Sequence, residues 1–184
     1  MHLDLPDIDI DETWAIPVLE ATLLKDIVSV EGAVDGDITL TPQLRETIEK
    51  FAGYDGSSKS LAKVSFLFLY IALVLQSGCR KSLRVSVQST LPIGAGLGSS
   101  ASFGTALAAA LLLVRERHRT GRSDATVPAA TVNTWAFRSE QLVHGNPSGL
   151  DNTMSTLGGA LSFKSGQVER LDKYLPPPPP QFTE

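Results

Sequence analysis

Between Leu83 and Arg117 the chain changes character twice, and the order of those changes limits what it can fold into. Leu83, Val85 and Val87 alternate with Arg84, Ser86 and Gln88, the period-two pattern of a half-buried strand. The loop Leu91-Pro92-Ile93-Gly94-Ala95-Gly96-Leu97-Gly98-Ser99-Ser100 follows. From Ala101 to about Arg117 the residues are rich in Ala and Leu and almost uniformly apolar as far as Arg115, which predicts a central core helix. A strand delivered through a glycine loop into a buried helix requires mixed α and β architecture.

The loop itself has two readings, a tight turn or a phosphate cradle. Gly94, Gly96 and Gly98 free the backbone to reach conformations that a Cβ obstructs, and they let Ala95, Leu97 and the neighbouring amides approach an anion. Ser99 and Ser100 then open the helix, where unpaired amides and the positive dipole end favour phosphate, and where a hydroxyl can cap the helix or ligate a nucleotide-borne metal. The loop lacks the Gly-Lys-Ser/Thr ending of a Walker loop. No acidic second strand follows at the dinucleotide-binding distance.

The remaining elements are coarser. Residues 1 to about 60 read as short elements broken by Pro6, Pro17, Gly32, Gly36, Pro42, Gly53 and Gly56, with one helix from Pro42 to Phe51 that Thr41 can cap. Leu61 to Leu75 reads as a helix. Its apolar stretch from Val64 falls short of the roughly 20 residues a bilayer needs and is expected to be buried instead. Arg115 to Pro128 is a polar connection. Thr131 to about His144 is a second long helix, Gly145 to Gly149 a loop, Leu150 to Leu157 a short helix stopped by Gly158-Gly159, and Ala160 to Arg170 a hairpin turning at Lys164-Ser165-Gly166. The pattern is α+β, with no internal repeat.

Composition removes several function classes. The 184 residues, 42% hydrophobic and 20% charged, suit one compact core. A net charge of -4 without a Lys/Arg cluster supplies no field for nucleic acid or an anionic membrane, so neither is expected as a partner. The acidic start Met1-His2-Leu3-Asp4-Leu5-Pro6 is unlike a signal peptide. One cysteine, Cys79, excludes an internal disulfide framework and fits a reducing compartment. The cytoplasm is the expected location, with peroxisomes left open.

A second segment carries chemistry: Glu140-Gln141-Leu142-Val143-His144-Gly145-Asn146-Pro147-Ser148-Gly149-Leu150-Asp151-Asn152. By residue type alone Glu140 reads as a solvated helix charge, and Asp151 stands where it can cap the short helix. His144 has no Cys or His companion at ligand spacing and reads as structural.

Taken together, Pro92 to Ala101 closely resembles the Pro-x-Gly-x-Gly-Leu-Gly-Ser-Ser-Ala loop of the GHMP kinases, and the second segment resembles that family's Gly-x-Pro-Ser-Gly-x-Asp block in its mevalonate kinase branch. Thr153 to Leu161, Trp135-Ala136-Phe137 and Leu5-Pro6-Asp7-Ile8 extend the likeness, which runs from about Leu3 to about Leu171. It implies an α+β fold: the N-terminal GHMP kinase domain of the ribosomal protein S5 domain 2-like type, a mixed sheet with packed helices, present incompletely over residues 1–174.

The resemblance also implies roles. ATP would be held by Ser89 and by Gly94 through Ser100, that is Gly94, Ala95, Gly96, Leu97, Gly98, Ser99 and Ser100. Mg2+ would be held by Ser100 and Glu140. Asp151 would be the catalytic base, and Gly145, Pro147, Ser148 and Gly149 would form the substrate-side loop. The implied reaction moves the γ-phosphate of ATP to the 5-hydroxyl of mevalonate, giving 5-phosphomevalonate for isoprenoid and sterol synthesis; galactose and homoserine kinases share the loop. The family's lysine-bearing first strand, its Gly-Glu-His segment and its C-terminal domain have no counterpart here, so the chain reads as truncated at both ends. That leaves a second reading open, a non-catalytic fragment that binds nucleotide or pairs with another subunit, and it leaves homodimer formation open. Pro176 to Pro180, in a proline-rich tail over residues 175–184, reads as a stiff polyproline end or a docking segment.

Overall fold

A computed structural model describes residues 1–24, 40–164 and 167–171. The turn residues Ser165 and Gly166 and the proline-rich tail lie outside them. Among the described residues the fold is α+β, with strands β1 (His2–Leu5), β2 (Ile10–Thr13), β3 (Arg84–Ser86), β4 (Leu161–Lys164) and β5 (Gln167–Arg170). The helices are α1 (Ile16–Thr22), α2 (Pro42–Ala52), α3 (Ser58–Tyr70), α4 (Ser99–Thr120), α5 (Ala129–His144) and α6 (Leu150–Leu157).

One sheet has the order β2-β1-β3 and is mixed: β1 runs antiparallel to β2, with Leu5 opposite Ile10, and parallel to β3, with Leu3 opposite Val85. The strands are short, and β3 is shorter than the Leu83–Val87 alternation suggests. The ladder nevertheless reaches its flanks, since His2 N donates to Leu83 O (2.9 Å) and Val87 N to Asp4 O (3.1 Å). Strands β4 and β5 form the expected hairpin, Leu161 opposite Arg170.

Local chemistry explains the helix boundaries. Thr41 Oγ1 accepts from Leu44 N at 3.1 Å, as a cap should, with Pro42 in the first helical position. Leu44, Ile48 and Ala52, spaced by four, form the buried stripe of α2, and Gly53 closes it at φ +66°. Helix α3 starts three residues before the predicted Leu61, because Ser57 Oγ accepts from Ser60 N at 3.2 Å while Asp55 Oδ1 accepts from both Ser57 N (2.9 Å) and Ser60 Oγ (2.7 Å). These bonds stabilise the ionised form and hold the Asp55 carboxyl far below the usual carboxylate range, hydrogen bonds from Ser57 being the largest cause and those from Ser60 next.

The centre of the core is α3 and the π-helical turn Ile71–Leu75 that continues it: every residue from Val64 to Leu75 is buried. Trp14, Phe66 and Tyr70 stack in series with ring centroids 5.8 and 6.0 Å apart, and Phe68 meets Trp135 of α5 at 6.2 Å. The run Ser58–Leu75 is, among the described residues, long and apolar enough to cross a membrane, yet 72% of it is buried inside the protein, so its apolar surface has an occupant already. Helix α4 is the expected core helix, but on one face only. Ala101, Leu107, Ala108, Leu111 and Leu112 bury one face against the core, whereas Ala106 and Ala110 are exposed. Alanine and leucine favour a helix on any face, so composition alone could not say how much of it would be covered. Helix α4 packs on α3, α5 and α6, which sets its N-terminus beside the α5–α6 corner.

Candidate active site

The glycine loop, the start of α4, the α5–α6 corner, the turn after β1 and the start of α3 enclose a cleft of about 680 Å³. Gly94, Gly96 and Gly98 have φ of +72°, +71° and +71°, the left-handed region in which a side chain is strained. At Gly94 and Gly96 a Cβ would meet nothing within 4 Å, so it is conformation and not space that calls for glycine there. Gly98 is the N-cap of α4 without a side-chain cap, so the first amides of that helix are left for a ligand; its carbonyl accepts from Ser102 N at 2.9 Å. Leu97 is 62% exposed at the loop's crest.

Ser100 and Glu140 meet across two helices. The Ser100 hydroxyl donates to Glu140 Oε1 at 2.7 Å, and both residues line the cleft. The solvated-charge alternative for Glu140 fails, because the residue is only 8% exposed. A hydroxyl and a carboxylate side by side are hard oxygen donors, and Mg2+ takes one or two such protein oxygens and completes its shell with water and phosphate, so the pair fits that ion.

His144 is not the isolated structural residue its sequence context suggests. It lies one helical turn beyond Glu140, with Nε2 3.4 Å from Ser100 Oγ and 3.7 Å from Glu140 Oε2. Nε2 is thus the ring nitrogen that faces the serine–glutamate pair. The signal was present in the four-residue spacing, but Ser100 lies forty-four positions away.

Asp151 does not cap α6. The N-cap is Gly149, at φ +80°, and the Asp151 carboxylate is exposed in the cleft, hydrogen-bonded to none of the described residues. A Cβ on Gly149 would stand 3.4 Å from Phe137, so this glycine also lets α6 close on α5. Asn152, only 2% exposed, bonds to Asn133 of α5 at 2.7 Å, and Thr156 Oγ1 donates to Asn152 O at 2.8 Å, which anchors α6 beneath Asp151. Pro147 and Ser148 line the cleft and Gly145 ends α5 at φ +79°, with Ser148 Oγ accepting from Leu150 N at 3.3 Å.

At the opposite end, Ser89 lines the cleft; its amide donates to Asp7 Oδ2 at 2.7 Å and its Oγ accepts from Leu91 N at 3.1 Å. Asp7 was not singled out from sequence. Leu5, Ile8, Leu61, Ala62 and Val87 make that end apolar. The described lining residues include no lysine or arginine.

Residues 45–159, more than half of the chain, match the family described as GHMP kinases N terminal domain. The chain is 36% identical to the mevalonate kinase of Homo sapiens over 184 residues, which covers 94% of this chain and 45% of that relative. It is 36% identical to the mevalonate kinase of Mus musculus, covering 96% and 46%, and 33% identical to that of Arabidopsis thaliana, covering 96% and 47%. The chain thus spans under half the length of these curated relatives. A glycine loop set against a helix start, a serine–glutamate pair and an open aspartate occupy one cleft within the matched segment, and the chain belongs to the GHMP kinases.

Proposed function

We propose that this chain is the nucleotide- and acceptor-binding part of a kinase that phosphorylates mevalonate. The γ-phosphoryl of ATP passes to the 5-hydroxyl, giving 5-phosphomevalonate and ADP in the service of isoprenoid and sterol synthesis, in the cytoplasm. The observation that carries the reading is the convergence on one cleft of the glycine loop, the Ser100–Glu140 pair and the open Asp151 carboxylate. The choice of mevalonate rests on the likeness to mevalonate kinases.

Phosphoryl transfer asks the protein mainly for positioning and charge stabilisation. The amides of Gly94 to Ser100, with Ser89 nearby, would hold the triphosphate. Ser100 and Glu140 would hold Mg2+, which when bound neutralises the phosphate oxygens. Asp151 would accept the proton of the attacking hydroxyl as the new O–P bond forms and ADP leaves. Gly145, Pro147, Ser148 and Gly149 would shape the acceptor side.

A coupled assay of ADP release with the purified chain, MgATP and mevalonate tests this, run beside Asp151→Asn and beside galactose and homoserine. Mevalonate-dependent turnover that disappears in the variant supports the proposal. A second reading draws on the described lining of the cleft, which brings no lysine or arginine to Asp151: a chain that binds nucleotide, or pairs with another subunit, without turnover. A folded chain that binds MgATP and releases no ADP would favour it.

A further inference from the structure

We infer that Ser100, Glu140 and His144 form one three-donor site that takes Zn2+ in preference to Mg2+ when no nucleotide is bound. The inference rests on the reading of Ser100 and Glu140 as the metal end of the cleft and extends it by an imidazole.

The geometry is already close to that of a ligand set. Ser100 Oγ is 2.7 Å from Glu140 Oε1, His144 Nε2 is 3.4 Å from Ser100 Oγ, and the same nitrogen is 3.7 Å from Glu140 Oε2. With metal–donor bonds of about 2.0–2.2 Å, neighbouring ligands stand about 3.0–3.5 Å apart in octahedral or tetrahedral sites. The three separations are therefore within a few tenths of an ångström of ligand spacing. The Glu140 and His144 side chains share one face of α5, four residues apart. The Glu140 side chain is 10% exposed and that of His144 46%, so the carboxylate is anchored while the imidazole side stays open to water or phosphate oxygens.

Donor chemistry sets the preference. Oxygen donors alone suit Mg2+, while an imidazole suits Zn2+. Among the described residues no three His, Cys, Asp or Glu side chains are gathered to hold a metal. The third donor here is a hydroxyl, so affinity should depend heavily on the imidazole. Zn2+ held this way would occupy the oxygens that the magnesium nucleotide needs, making it a competitor for the cleft.

The test is calorimetric titration of ZnCl2 into the 184-residue chain in excess MgCl2 without nucleotide, for the unaltered chain and for His144→Gln and His144→Ala, with His2→Gln and His118→Gln as controls. Circular dichroism melts verify that each is folded. The expected result is one Zn2+ site weakened about tenfold or more in both His144 variants and unchanged in the controls, since even indirect partners of metal ligands cost about 10–100-fold when removed. Equal Zn2+ binding with and without His144, or no Zn2+ binding by a folded chain that binds MgATP, overturns the inference and leaves the kinase reading standing. His144-dependent Zn2+ binding by a chain that fails to bind MgATP supports the metal site and counts against the nucleotide reading.

Discussion

Gly98 faces Asp151 across the cleft so closely that a Cβ built on the glycine would stand 3.6 Å from both Cβ and Cγ of the aspartate. The loop that would hold phosphate and the carboxylate that would receive a proton are therefore in near contact, although fifty-three positions separate them. At 3.6 Å the added methyl makes an ordinary contact, so the penalty of Gly98→Ala comes from its φ of +71°. That backbone conformation costs an alanine about 1–2 kcal/mol. Urea melts should show a loss of this size, and calorimetry should show weaker MgATP binding.

Glu140→Gln and Ser100→Ala separate charge from packing. Glutamine still accepts from the Ser100 hydroxyl, so Glu140→Gln should fold with nearly unchanged stability and lose at least about tenfold in MgATP affinity, one unit of log K per about 1.4 kcal/mol of lost interaction. Ser100→Ala withdraws the 2.7 Å hydrogen bond from a carboxylate only 8% exposed. It should cost about 1–3 kcal/mol in a denaturant titration as well as weakening the nucleotide.

Asp151→Asn should leave stability within about 0.5 kcal/mol, because the carboxylate is exposed, bonds to none of the described residues and caps nothing. Turnover should vanish while MgATP affinity is kept. A large drop in melting temperature would show instead that Asp151 supports the fold.

Asp55 predicts an acid-sensitive helix start. Its carboxyl is depressed in the folded chain by bonds from Ser57 and Ser60, so its contribution is full above the ordinary value of 3.8 and is lost as pH falls from there toward the lower folded value. Thermal melts from pH 6 down to about pH 2.5 should show a steeper loss of stability below about pH 4 in the unaltered chain than in Asp55→Asn, which has no proton to take up there.

Much of the fold was legible because its determinants are local. Thr41 with Pro42 marks the start of α2, Gly158 marks the end of α6, and β4 pairs with a β5 only a few positions away. Strands β1 and β2 escaped individual assignment: four residues each carry too little period-two signal, and Pro6 and the acidic residues between them read as a loop. In the site, the glycine loop, Ser100, Glu140 and Asp151 were all marked by motif, whereas Asp7 and the placement of His144 were not, since their partners Ser89 and Ser100 are distant in sequence.

By itself the sequence determined the longer helices, but not the seven-residue α1, together with the residue types available for chemistry, because caps and side-chain periods act over a few neighbouring residues. Tertiary structure alone decided that α3 is buried all round while α4 is buried on one face, that β1 pairs in parallel with β3, and that Ser100, Glu140 and His144 converge. Those outcomes depend on which apolar faces cover one another and on contacts between residues forty or more positions apart, and no local pattern encodes that competition.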